Sequence, residues 1–164
     1  MTGVRTVVTI GVYGFEQAGF IAALARARVK VLLDVRQRRG VRGSEYAWAN
    51  SARLQAALAD AKIDYQHHKE LAPTTELRRL QYAEDDRLGV GKRSRVALAP
   101  EYRDRYTREI LDQVDLEPIV ASLPANGAAA LLCVERDPEA CHRSLIAERM
   151  ASELGVSVRH LKPN

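Results

Sequence analysis

Short apolar runs alternate along the chain with stretches in which apolar residues recur every three or four positions. Thr6 to Gly11 (TVVTIG) is rich in β-branched residues and ends at glycine, the pattern of a buried strand. After a Tyr13-Gly14 turn, Phe20, Ala23, Leu24 and Ala27 share one helical face within Glu16 to Ala27. Val29 to Asp34 (VKVLLD) predicts a second strand closing on an acid. Asn50 or Ser51 can cap a helix through Ala61, in which Leu54, Ala57, Leu58 and Ala61 form one stripe, and Ile63 to His67 predicts a third strand. The repeated unit is strand, then helix.

Residues 69–123 break this rhythm and predict a mainly helical insertion. Pro73-Thr74-Thr75 reads as a turn and cap, Glu76 to Arg87 as a polar helix, and Gly89 to Ala99 as a loop. Pro100 suits the first position of another helix, whose Tyr102, Tyr106, Ile110 and Val114 lie four apart and carry it to Leu116 or beyond. Pro124-Ala125-Asn126-Gly127 forces a turn, and Ala128 to Val134 (AAALLCV) is the strongest buried-strand pattern in the chain. Asp137-Pro138 then predicts an N-cap and first helical residue, followed by the stripe Leu145, Ile146, Met150 and Leu154 and a last strand over Val156 to His160. The expected fold is a single α/β domain over residues 1–164. Its core is an open, mostly parallel sheet of about five strands with helices on both faces, a Rossmann-like arrangement.

Composition agrees with one compact domain: 164 residues, 46% hydrophobic and 28% charged. That length needs no disulfide framework or structural metal to fold, and two cysteines do not make one. No run approaches a membrane span and the first residues lead straight into a strand, so a cytoplasmic protein with reduced thiols and no membrane partner is expected. Oligomeric state is left open. Lys and Arg total 25 against 21 Asp and Glu, a net charge of +4, and the excess is concentrated. Arg36, Arg38, Arg39 and Arg42 crowd one segment, and Lys92, Arg93 and Arg95 another.

In open parallel sheets the ligand lies beyond the carboxyl ends of the strands. That rule selects Tyr13, Asp34, Arg36, His67 and the segment Cys133 to Arg143 (CVERDPEACHR), which hold the chain's most reactive side chains. Asp34 and His142 are candidate acids or bases, Cys133 and Cys141 candidate nucleophiles, and a helix start bearing Arg143 favours an anion. Arg36, Glu135, Tyr13 and His67 join Arg143 as candidate ligand contacts. Arg38, Arg39 and Arg42 beside Trp48 put cations next to an aromatic ring, as single-stranded nucleic acid requires. Each has a plainer reading: a core cysteine, an internal Asp34–Arg36 salt bridge, a tryptophan capping the core. Seven residues between the cysteines and a histidine directly after the second give no known zinc-finger or ribbon spacing, so no metal is expected. No Walker loop or dinucleotide fingerprint is present, and no cofactor is expected.

The pieces T-I-G at Thr9 to Gly11, L-D-V-R at Leu33 to Arg36, I-D-Y-Q-H at Ile63 to His67, and L-L-C-V-E followed by C-H-R resemble domain-of-unknown-function family 488 along nearly the whole chain. The resemblance implies a small α/β protein and carries over Asp34, Arg36, Cys133, Glu135, Cys141, His142 and Arg143 as candidate site residues. It names a family without naming a reaction. Val12 stands where many relatives carry a histidine. A weaker similarity is to rhodanese-like domains, with Cys133 and Arg143-Ser144 in the parts of nucleophile and anion cradle, although nine residues separate Cys133 from Arg143.

The residues therefore point first to a binder, and candidate hydrolase, of a phosphate-bearing ligand: a nucleotide or nucleic acid held at the strand ends. The alternatives are cysteine-based sulfur transfer or redox chemistry, and a non-catalytic interaction module.

Overall fold

Ala128–Leu132 is the strand around which the others assemble: all five residues are buried, and its three alanines admit close neighbours on both faces. The structure, a computed structural model, describes residues 5–91 and 94–163. Strands β1 (Thr6–Ile10), β2 (Val29–Asp34), β3 (Asp64–His67), β4 (Ala128–Leu132) and β5 (Ser157–His160) form one sheet in the order β3-β2-β4-β1-β5. Every neighbouring pair is parallel, so the expected α/β, Rossmann-like arrangement is the observed one. Helices α1 (Gln17–Arg26) and α2 (Ser51–Asp60) lead outward from β1 to β2 to β3. The last crossover, through α6 (His142–Leu154), runs the opposite way to β5. Right-handed crossovers put helices of opposite travel on opposite faces.

The apolar stripes pack as their spacing predicts. Phe20 and Leu24 of α1, Leu54 and Leu58 of α2, and Ile146 and Met150 of α6 are fully buried in one cluster with the sheet. Each such side chain contributes about 1.5–3 kcal/mol relative to exposure. Thr74 caps α3 (Thr75–Leu88), its hydroxyl accepting from the Leu77 N–H at 3.1 Å. Gly89 ends that helix in the left-handed conformation.

Two helix boundaries differ from the periodicity. The helix opened by Pro100 stops at Glu109 as α4 (Pro100–Glu109), followed by a single 3₁₀ turn and the short α5 (Glu117–Ala121). Pro118 does not end α4, which has already stopped at Ile110, but it bars one helix from running on to Leu116 and beyond: it has no N–H to donate, and its ring would clash in a continuous helix with the carbonyl of Val114, which is instead extended. The Asp115 carboxylate caps the new start by accepting from the Glu117 N–H at 3.0 Å. Likewise Asp137-Pro138 opens only the 3₁₀ turn Pro138–Ala140, and α6 begins at His142 with Cys141 as its extended N-cap residue. Among the described residues no helix is long and apolar enough to cross a membrane.

Candidate functional site

Register places the site. Ile10, Asp34 and Leu132 lie level at the carboxyl edge of the sheet. Just beyond that edge, the Val35 N–H donates to the Leu132 carbonyl at 3.1 Å and the Cys133 N–H to the Ile10 carbonyl at 3.2 Å. The Val134 carbonyl accepts from Val12 and Tyr13. Cys133 is thereby fixed between the first and second strands' exits. Connections diverge at this point, β2 toward β3 and β4 toward β5, and between them opens a cleft of about 750 Å³.

At its floor Cys133, Cys141 and His142 converge, all three buried. His142 Nδ1 lies 3.6 Å from the Cys133 sulfur and 3.7 Å from that of Cys141. The other ring nitrogen, Nε2, donates to the Val35 carbonyl at 2.8 Å, so Nδ1 faces the thiols. Burial opposes ionisation of Cys141, but the hydrogen bond from Cys133 and the positive charges of His142 and Arg143 outweigh it and push its pKa well below the ordinary thiol value. Cys133 moves the other way, raised by burial first and then by Cys141 and the Glu135 carboxylate. Burial likewise opposes protonation of His142, yet the Cys141 sulfur and the Val35 carbonyl raise it above an ordinary histidine. One proton is thus shared between Cys141 and His142, while Cys133 keeps its own. The ligand atoms of these three residues lie within 4.8 Å of one another, although their chain spacing matches no familiar metal motif.

The helical insertion closes one wall. Arg95 reaches from the loop before α4, its Nε and one NH₂ group donating to the Asp85 carboxylate on α3 at 2.7–3.0 Å. Its other NH₂ group donates to Glu135 at 2.9 Å and to the Ala140 carbonyl at 3.2 Å. Gln81 completes this network, donating to Asp85 at 2.9 Å and accepting from the Ala99 N–H at 2.8 Å. Glu135 in turn accepts from the Cys133 thiol at 3.6 Å. Tyr106 sets its ring edge-on to His142 at 5.4 Å and donates to the Leu71 carbonyl at 2.6 Å. Tyr102 lines the cleft beside it, its hydroxyl pKa raised well above the ordinary value by burial and then by Tyr106. In the sequence Arg95 is only part of a basic segment that reads as solvated unless the fold brings it to the cleft, and residue chemistry does not single out Asp85, Gln81 or Tyr102. A signal existed: Leu77, Gln81 and Asp85 continue one stripe at four-residue spacing, which buries two polar side chains with a leucine.

The remaining candidates divide between cleft and framework. Asp34 and Arg36 form a buried two-pronged ion pair at 2.8–2.9 Å, and Arg36 also donates to the Ala49 carbonyl. Asp34 is fully buried, its oxygens filled by Arg36 and by the Tyr65 hydroxyl at 2.7 Å. Arg143 is also fully buried. It donates to the carbonyls of Glu135 and Arg136, holding the loop after β4 from beneath. His67 Nε2 meets the Arg36 carbonyl at 2.9 Å, while His68 lies between Glu70 and Gln66. Trp48, expected as a stacking surface, is instead core: its ring packs on Phe20 at 4.9 Å with 6% exposure. Arg39 is bonded to the Tyr65 hydroxyl at 3.3 Å. Tyr13 lines the cleft and packs on Tyr46. Arg38 and Arg42 stand exposed at the cleft mouth, with Arg78 across from them. Of the second basic segment, Lys92 and Arg93 lie outside the described residues.

A family model described as Domain of unknown function DUF488 matches residues 17–150. The chain belongs to that family. The match takes in β2, β3, β4 and most of α6, and so includes the L-D-V-R, I-D-Y-Q-H, L-L-C-V-E and C-H-R segments. No curated protein and no solved structure matches the chain. In this DUF488 protein three of those segments meet at the cleft: L-L-C-V-E and C-H-R supply its floor, and L-D-V-R contributes Arg36 to the wall beside them, whereas I-D-Y-Q-H does not line it.

Proposed function

We propose that this DUF488 protein binds a small phosphate-bearing ligand of the nucleotide class in the cleft between β2 and β4. The observation that carries this reading is the charge of the lining. Among the described residues, Arg36, Arg38, Arg42, Arg78 and Arg95 line the cleft against one acid, Glu135, which is itself paired with Arg95. Arg36 and Arg95 are neutralised by Asp34 and Asp85, so the charge that supports the reading is that of Arg38 and Arg78 at the mouth. Arg78 has only neutral partners there, Gln37 and Tyr82, and Arg38 has no ionic partner among the described residues. Guanidinium forks beside a half-enclosed cleft suit a phosphate better than any neutral ligand. The cleft volume lies within the small-molecule range, and burial of Trp48 removes the ring that would favour single-stranded nucleic acid. Free thiols in this position fit a reducing, cytoplasmic setting.

The test is a thermal-shift series with nucleoside mono-, di- and triphosphates, inorganic phosphate and short oligonucleotides, run beside Arg38→Ala and Arg78→Ala. A ligand at 100 times its Kd adds about 2.7 kcal/mol, a rise of roughly 5 to 10 °C at this chain length. The shift should shrink in both variants and fall with added salt. No shift with any phosphate compound overturns the reading. A second reading, cysteine-based redox or sulfur-transfer chemistry, draws on the two thiols and imidazole at the floor. It expects a small disulfide to convert Cys133 and Cys141 into an internal disulfide, releasing two equivalents of small thiol; mass spectrometry showing only mixed or no adducts argues against it.

A further inference from the structure

We propose that Cys133, Cys141 and His142 bind one zinc ion, leaving a fourth coordination position open to the cleft. The inference goes beyond the phosphate reading and does not require it. Bonds of about 2.3 Å to sulfur and about 2.0 Å to nitrogen, arranged tetrahedrally, separate a sulfur from a nitrogen ligand by roughly 3.5 Å. The observed separations from His142 Nδ1 are 3.6 and 3.7 Å, so both sulfur–nitrogen spacings already match what the ion demands, and all three ligand atoms lie within 4.8 Å of one another. As hydrogen bonds these sulfur contacts are long and weak; as edges of an ion site they fit.

The surroundings support the same occupant. Histidines that ligate metal commonly donate their second nitrogen to a carbonyl or carboxylate, which fixes the ring, and His142 Nε2 does so to Val35. The ligands ride on rigid elements: Cys133 is tied to β1 through its N–H, and the Cys141 carbonyl accepts from the Ser144 hydroxyl at 2.9 Å in the first turn of α6. All three residues line the cleft, so the position not filled by protein faces a water or ligand. Two thiolates balance the charge of a divalent ion, and a set of two sulfurs and one imidazole selects zinc over magnesium or calcium. Glu135, oriented by Arg95, borders the cluster without being needed as a ligand.

Binding requires both sulfurs as thiolates and Nδ1 unprotonated. Whether Cys141 or His142 holds their shared proton beforehand, the group carries two protons to lose, so two are released per zinc bound. The test uses the full chain, purified without chelator, then stripped and reloaded. Metal analysis should find one zinc per chain, and calorimetry in buffers of different ionisation enthalpy should find two protons released. Cobalt in place of zinc should give the visible bands of a tetrahedral site and a near-ultraviolet sulfur-to-cobalt band whose intensity corresponds to two thiolates. Cys133→Ser and Cys141→Ser should each lose about half of that band. His142→Ala should keep the band but alter the visible spectrum. If the variants fail to fold, the intensity of the wild-type band and the proton count still decide the matter. Failure to retain zinc or cobalt after gel filtration overturns the proposal. So does a Cys133–Cys141 disulfide in protein handled anaerobically, or alkylation of both thiols at the same rate with and without zinc. A phosphate-dependent thermal shift that persists in metal-stripped protein would leave the ligand reading standing while this one falls.

Discussion

Asp34, itself fully buried, accepts four hydrogen bonds, from the Arg36 backbone, two guanidinium nitrogens of Arg36 and the part-buried Tyr65 hydroxyl. A carboxylate so filled braces the strand end; it has no free oxygen with which to serve a ligand. Asp34→Ala should destabilise the protein by about 3–5 kcal/mol in urea unfolding, because it strands the Arg36 charge inside. The double variant Asp34→Leu/Arg36→Met should recover much of that loss; equal losses in the single and double variants would show that the pair is not the cause. The L-D-V-R segment already contained part of this answer. Residues two apart at a strand end point to the same side, so an acid and an arginine at that spacing meet each other before they meet anything else. Arg143 was less legible. Its partners are backbone carbonyls of the loop it follows, and no side-chain identity marks a carbonyl as an acceptor. Gly11 belongs with it: a Cβ there would stand 1.8 Å from the Glu135 carbonyl, so only glycine lets β1 pass beneath that loop.

The strands and the outer helices were readable because one cause, burial of a face, sets both their period and their length. β2, β3, α1 and α2 follow their apolar patterns to within a residue or two. The end of α4 and the start of α6 were not, since they turn on local backbone geometry that periodicity does not register: the departure from the helix at Ile110 in one case, the 3₁₀ turn Pro138–Ala140 in the other. The insertion was legible as helical but not as a wall of the site, because its polar residues look solvated until the network around Arg95 is assembled. Arg95 is the bond between insertion and sheet, joining Asp85 on α3 to Glu135 beyond β4. Burial works against its charge, yet the two carboxylates hold its pKa above the ordinary arginine value. Arg95→Ala should lower stability by about 3–5 kcal/mol and speed amide exchange in the second half of α3. Unchanged exchange there would show that α3 is held by its apolar stripe alone.

Across the whole molecule two histidines, His142 buried at the cleft floor and His160 exposed on the edge strand, pull stability in opposite directions with pH. On β5, the open edge of the sheet, His160 Nδ1 lies 2.7 Å from the Thr9 hydroxyl of β1, an arrangement in which the neutral ring accepts and the hydroxyl donates. Burial lowers its pKa from the ordinary 6.5, Arg143 and Lys162 lower it further, and Glu139 and Glu148 oppose without prevailing. Between the lowered folded value and 6.5 the unfolded chain binds the extra proton. Its contribution to stability is therefore present above about 6.5 and lost as pH falls through the folded value. His142, raised in the fold, has the reverse sign: its contribution is present below 6.5 and lost as pH rises through its folded value. Total stability of metal-free protein thus mixes the two, and the His160 part must be taken as a difference. Wild type minus His160→Gln, measured by urea unfolding at several pH values, should grow from acid toward neutral pH. Proton NMR should place the His160 midpoint below that of an ordinary histidine. A midpoint at or above 6.5 would mean that β5 is not docked on β1 through a neutral imidazole, and the edge of the sheet would then owe its place to its backbone ladder with β1 and to the Val158 and Leu161 contacts with the core.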